Sequence, residues 1–227
     1  MESNPGSENL EVMSDASNYL SFVGRLVASR LPMTGRVLDI GAGNGIQTAH
    51  VGLGADRLLC VESDERMKAT LEDNGYEVVR QISGIETGDF AAVYSINCLE
   101  HIEDDQDFLC SVNRVLIKNG TLVLYVPALP MLYSSMDKKV GHFRRYTKEH
   151  LRLIVEHAGF TIQEIRYADV LGVFASLLFK ILRIKSGTPS RLSVQIYDKL
   201  VFPASQCLDL VFQRIVGKNL FVVAVKH

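Results

Sequence analysis

The sequence predicts an α/β fold built on a doubly wound, mostly parallel sheet, and three observations carry that expectation. Short apolar runs alternate with amphipathic helical stretches from residue 36 to about 167, which is the pattern of consecutive βαβ units. The first run, Val37-Leu-Asp-Ile40, is followed by glycines at alternate positions, Gly41, Gly43 and Gly45, before a helix opens at Ile46. Glycines at a strand-to-helix turn let the backbone turn tightly and approach a ligand beside a helix N-terminus. An acid, Glu62, ends the second run about 20 residues past that turn, where nucleoside-binding sheets hold a ribose diol. A carboxylate suits that task because it accepts from two hydroxyls at once.

Length and composition set the outer bounds. A chain of 227 residues suits one α/β domain with an elaboration, and 47% hydrophobic content supports a sizeable core. A formal charge of −2 gives no reason to expect a nucleic-acid partner. Cys60, Cys98, Cys110 and Cys207 are scattered with no CxxC pair, which points to reduced thiols and a cytoplasmic location. Residues 1–11 are polar and acidic, with neither a basic start nor an apolar core. They read as a disordered tail and not as a signal peptide. No apolar run reaches the roughly 18 residues of a membrane span.

In chain order, residues 15–31 carry Leu20, Phe22, Val23, Leu26 and Val27 at helical spacing, and Pro32 closes that helix. Strands are expected at 36–40, 57–61, 77–80, 90–96, 121–126, 160–167 and 221–226. Helices fall between them at 65–74, stopped by Gly75, at 108–118, stopped by Asn119-Gly120, and at 148–158, stopped by Gly159. Thr147 is the expected N-cap of the last of these. The acids Glu103, Asp104, Asp105 and Asp107 sit where they complement a helix dipole. Residues 128–146 read as a long structureless loop, and such loops at strand ends are more often functional than idle. Residues 168–219 form an apolar insertion: 170–182 has almost no polar face, 186–190 breaks it, and helices at 192–202 and 204–216 are divided by Pro203. Residues 1–31 are thus a tail and cap helix, 32–167 with 220–227 the nucleoside-binding domain, and 168–219 a separate elaboration.

Val37-Leu-Asp-Ile-Gly-Ala-Gly-Asn-Gly45 resembles motif I of the class I S-adenosylmethionine-dependent methyltransferases. The dinucleotide fingerprint G-x-G-x-x-G would need glycine where Ile46 stands. The resemblance covers about residues 35–167 and the last strand. It implies a Rossmann-like sheet of seven strands with the last antiparallel, S-adenosyl-L-methionine as cofactor, and methyl transfer as the activity. It also implies cofactor contacts from Asp39, Gly41, Gly43, Asn44, Glu62 and Ser63, from Gln81 and Ile82 around the adenine, and from Ser95, Asn97 and Cys98 beside the methionine part. Leu99-Glu-His-Ile102 resembles the segment that follows the fourth strand in small-molecule methyltransferases. His101 is therefore a candidate base or acceptor ligand, or else a histidine that satisfies a turn. Glu100, His101 and Asp104 form no recognisable ligand spacing, so no metal is expected.

Gly141-His-Phe-Arg-Arg-Tyr-Thr147 resembles a segment of one bacterial branch of the same family. His142 is a second candidate base. Arg144 and Arg145, with His142 and Tyr146, suit an acidic acceptor group. Alternatively the arginines pair with acids such as Asp137 and pin the loop. Tyr133 can orient an acceptor and Tyr19 can cover the cleft. The expected acceptor is a small molecule, sugar or lipid-like group, because no Asn-Pro-Pro-Tyr-like string follows the fourth strand. A nicotinamide oxidoreductase and a non-catalytic cofactor-binding partner are the competing readings. The insertion must be covered by its own helices as a lid, by a second copy in a homodimer, or by a membrane surface. For the membrane, Lys180, Arg183 and Lys185 would meet anionic head groups and the acceptor would be lipid-linked.

Overall fold

Seven strands form one sheet in the order β3-β2-β1-β4-β5-β7-β6. They are β1 Val37–Ile40, β2 Leu58–Val61, β3 Glu77–Val79, β4 Phe90–Ile96, β5 Leu116–Pro127, β6 Phe160–Ala168 and β7 Asn219–Lys226. All neighbouring pairs are parallel except those of β7, which runs antiparallel between β5 and β6. The expected seven-stranded sheet with an antiparallel last strand is therefore present. The computed structural model describes residues 14–181 and 190–227. The readings made for the tail at 1–11, for Leu182, Arg183 and Lys185, and for most of the break at 186–190 lie outside the described residues.

The helices are α1 Ser17–Ala28, α2 Ile46–Val51, α3 Glu65–Asp73, α4 Asp105–Val115, α5 Ser135–Val140, α6 Lys148–His157, α7 Val170–Ile181, α8 Arg191–Ile196 and α9 Phe202–Phe212. Alternate strand residues face opposite sides of a sheet, and the core divides accordingly. Leu38, Ile40, Leu59, Val61 and Val93 join Leu109 and Val112 of α4 and Leu151 and Val155 of α6. On the other face Val37, Leu58, Cys60, Ala92 and Tyr94 join Leu20, Val23 and Val27 of α1. After β1 the chain winds outward through β2 and β3, then returns to β4 on β1's other side. The carboxyl ends of β1 and β4 thus flank a topological switch point, where open α/β sheets bind ligands.

Several boundaries differ from the sequence reading. Helix α1 stops at Ala28 with Ser29 as its C-cap, before Pro32 can act as the breaker. Helix α4 ends at Val115, and Leu116 already pairs with Phe90 of β4, so the sheet claims residues given to the helix. The loop after β5 is not structureless. It contains a 3-10 turn at Pro130–Leu132 and helix α5, which begins with a capping box of Ser134 and Asp137. Pro203 does not divide two helices either. Arg191–Ile196 continues through a π-helical turn, Tyr197–Val201, into α9, and Pro203 sits in the first turn of α9, where its missing N–H costs little.

Two helix starts are capped from far away in sequence. Helix α1 has no side-chain cap of its own. The buried Asp198 carboxylate supplies it, accepting from Tyr19 N at 2.8 Å and Asn18 N at 3.0 Å. Asp209 does the same for the segment entering α7, accepting from Asp169 N at 2.7 Å and Val170 N at 2.9 Å. The segment that carries both acids therefore holds the start of α1 and the turn from β6 into α7. Asp198→Ala strands two N–H groups, one of them buried, and should lower unfolding stability by about 2 kcal/mol. Asp198→Asn keeps one acceptor and should lose less. An unchanged urea midpoint for the alanine variant would disprove the capping role.

Candidate functional site

The glycine turn leaves β1 with positive φ at Gly41 (77°) and Gly43 (58°), a region that side chains with a Cβ rarely adopt. A Cβ on Gly41 would lie 2.5 Å from Cys98 Sγ. The glycine at this position therefore lets the turn and the end of β4 close on each other. Glu62, at the end of β2, is buried. Its Oε2 accepts from Gly43 N at 2.8 Å and its Oε1 from Asp64 N at 2.9 Å. The carboxylate thus lies at the lip of the glycine cradle, with lone pairs to spare for a diol.

Asp39 lies beneath the turn. Its Oδ2 accepts from Thr48 Oγ1 at 2.7 Å and Tyr94 OH at 2.8 Å, tying α2 and β4 to β1. Burial pushes its carboxyl up to about 6. Ser95 Oγ donates to Ile40 O at 3.0 Å. Asn44 Oδ1 accepts from Ile46 N and helps start α2. Asn97 has φ of 50° and donates its backbone N–H to Tyr125 O. Ser63 and Gln81 are exposed, and Ile82 is half-buried at the start of a 3-10 turn. Tyr19 of α1 meets Tyr125 edge-on, with ring centroids 6.3 Å apart. Burial raises its hydroxyl to about 12.

A second cluster forms where the segment after β4 meets the segment after α5. Phe143 N donates to Glu100 O at 2.8 Å and draws the two together. Glu100 is wholly buried, and neither carboxylate oxygen has a hydrogen-bond partner. Burial pushes its pKa up to about 8. The rings of His101 and His142 meet edge-on at 4.6 Å, and His142 Nε2 lies 3.7 Å from Glu100 Oε1. Partial desolvation of its ring, then the neighbouring His142, lowers His101 to about 4. His142 Nδ1 lies 2.9 Å from Asp137 Oδ1, which also takes Arg145 Nε at 2.8 Å. Burial alone would raise Asp137, but hydrogen bonds from His142 and the Arg145 charge outweigh it and hold it at about 2. Tyr133 OH donates to His142 O at 2.7 Å. Arg144 reaches Asp105 Oδ2 at 3.0 Å and Glu103 O. The buried Tyr146 donates to Leu99 O and Asp105 Oδ2.

The structure thus gathers His101, His142 and Tyr133 into one corner. It gives Arg144, Arg145 and Tyr146 partners within the protein. Glu100, Asp105 and Asp137 were not singled out as site residues from sequence. The spacing Ser134-x-x-Asp137 was a readable capping signal. Burial of Glu100 and Asp105 had no local signature.

A family model described as a methyltransferase domain matches residues 13–165. The chain belongs to this methyltransferase domain family. Among solved structures it resembles an S-adenosylmethionine-dependent methyltransferase from Thermotoga maritima, at 16% identity over 97% of this chain and 95% of that one, with a TM-score of 0.66. A comparable match is an S-adenosylmethionine-dependent methyltransferase from Archaeoglobus fulgidus (17% identity, 92% and 93% covered, TM-score 0.61). Phosphoethanolamine N-methyltransferase 2 of Haemonchus contortus, in complex with S-adenosyl-L-methionine, matches at 22% identity over 88% of this chain and 51% of its own (TM-score 0.57). No curated protein matches the sequence. The protein is an S-adenosylmethionine-dependent methyltransferase, and the glycine cradle with Glu62 at its lip suits that cofactor. The nicotinamide reading is set aside.

Proposed function

We propose that this methyltransferase acts on a small amphiphilic acceptor, lipid-linked or lipid-like, taken from an anionic membrane surface. One observation carries the reading. Within the described part of the insertion, Phe174, Leu178 and Ile181 of α7 and Leu192, Ile196 and Leu200 of the next helix are exposed. The exposed charged side chains there are Lys180, Arg191, Lys199 and Arg214, all basic, whereas the acids Asp169, Asp198 and Asp209 are buried. A face of apolar and basic groups suits the head-group region of an anionic bilayer. Val170, Gly172 and Val173 of α7 are buried while Phe174, Leu178 and Ile181 are exposed, so burial within the chain accounts for only part of that helix. No helix among the described residues is long and apolar enough to cross a membrane, so the contact would be peripheral.

In this reading the backbone at Gly41, Gly43 and Asn44 cradles the cofactor, and Glu62 takes the ribose with Ser63 alongside. Gln81 and Ile82 flank the adenine, and Asn97 and Cys98 line the methionine side. Asp39 and Ser95 act one step removed, holding the strand ends on which the cradle sits. Bound S-adenosylmethionine supplies a methyl group whose leaving partner is a neutral thioether, so no acid is required. Positioning supplies much of the rate. His101 and His142 stand on the acceptor side, where a protonated acceptor needs a base. Tyr133 aims His142 by holding its carbonyl, Tyr19 covers the cleft, and Arg144, Arg145 and Tyr146 keep the loop in shape.

Flotation with phosphatidylserine-containing vesicles tests the membrane reading. The protein should rise with the vesicles at low salt, and Leu192→Glu with Leu200→Glu should leave it in the dense fraction. Wild-type protein that stays down at low salt would defeat the reading. Dimerisation that buries this face would then assign it to a second copy.

A further inference from the structure

We propose that Glu100, His101 and His142 bind one divalent transition-metal ion on the acceptor side of the cleft, a site that sequence spacing gave no reason to expect. One ligand atom from each residue lies within 4.8 Å of the other two. Asp137, ion-paired with Arg145, can only accept hydrogen bonds, so the His142 nitrogen that faces it at 2.9 Å carries the hydrogen. As a neutral imidazole with its hydrogen toward Asp137, His142 turns the lone pair of Nε2 toward Glu100 Oε1 at 3.7 Å. Two acceptor atoms face one another across a buried gap, and a hydrogen bond between them would be too long at that separation. Both Glu100 oxygens lack any partner although the side chain is wholly buried. A buried carboxyl group without a hydrogen-bond partner is costly, and a bound cation would remove that cost. A metal ion satisfies all three groups together.

The surroundings match a metal site in two further respects. Metal-binding histidines usually donate their second nitrogen to a carboxylate, which fixes the ring and raises its basicity. Asp137 stands in that place, and Tyr133 and Phe143 hold the backbone on either side through His142 O and Glu100 O. Two histidines and one carboxylate form a set that leaves positions open, as in catalytic rather than structural sites. Bonds of about 2.0–2.2 Å place ligand atoms at most roughly 4.4 Å apart. A small rotation of the exposed His101 ring closes the set. The open position would take an oxygen of the acceptor, and that use rests on the methyl-transfer reading above. Metal binding itself does not rest on it.

The test uses tag-free, full-length protein stripped with a chelator and titrated with Co²⁺. One ion per chain should bind, with visible d–d absorption typical of nitrogen and oxygen ligands. His101→Ala changes an exposed side chain and is expected to fold normally. It should weaken binding at least tenfold, as should His142→Ala and Glu100→Gln. Asp137→Asn, acting through His142, should cost 10–100-fold. No stoichiometric Co²⁺ binding, or binding that all four variants leave unchanged, would overturn the proposal. S-adenosylmethionine affinity measured on the same stripped protein reports the cradle separately, so a failed metal site and a failed cofactor site are told apart.

Discussion

Replacing Arg145 with alanine is expected to remove about 3–5 kcal/mol of stability and to lower the melting temperature by roughly 6–20 °C. Arg145 and Asp137 are 8% and 1% exposed at the side chain and meet at 2.8 Å. Removing the guanidinium leaves a buried carboxylate short of its main counter-charge. It also releases Ala128 O, which Arg145 holds where the loop departs from β5. Arg145→Lys keeps the charge but loses the fork geometry, so a smaller loss is expected. Thermal unfolding of the three proteins decides the matter. A wild-type melting temperature together with a raised acceptor KM would make Arg145 an acceptor ligand after all.

The second large effect is on the cofactor. Glu62→Ala should weaken S-adenosylmethionine binding by about 1.5–3 kcal/mol, or roughly 10- to 150-fold, because a bidentate carboxylate–diol contact is lost. Part of the loss comes from the cradle itself, since Glu62 also holds Gly43 N and Asp64 N. Glu62→Gln keeps one acceptor oxygen and should fall between. Calorimetric titration separates these outcomes, and wild-type affinity in the alanine variant would remove Glu62 from the ribose site.

What was legible in the sequence was local. The glycine turn and Glu62 announce themselves because their meaning depends on spacing along one βαβ unit. Thr147 was readable as a cap because it accepts from His150 N three residues on, and Asp104 likewise accepts from Asp107 N. Asp198 and Asp209 cap helix starts 180 and about 40 residues away. No periodicity reports such a partner, so the insertion looked like an apolar mass and not a brace. The pairing of Arg145 with Asp137 lay between these cases. It was one of two readings of the loop, and only the fold brought the eight-residue separation to 2.8 Å. The Glu100 corner was least legible, because burial of a carboxylate is a property of the assembled sheet and its loops.

The position of β7 bears on how the chain is made. Strand β7 lies between β5 and β6, so β6 has no neighbour in the sheet until β7 is made. On a ribosome adding about 5–20 residues each second, the 50 residues between Ala168 and Asn219 take roughly 3–10 s. For that time the nascent protein carries an open edge on β5 and a lone β6, both prone to pair with other chains. Helix α1 waits longer still, because Asp198, which caps its start, follows its end by 170 residues. The sheet therefore closes only once β7 is made, and loss of β7 would split the sheet rather than trim it.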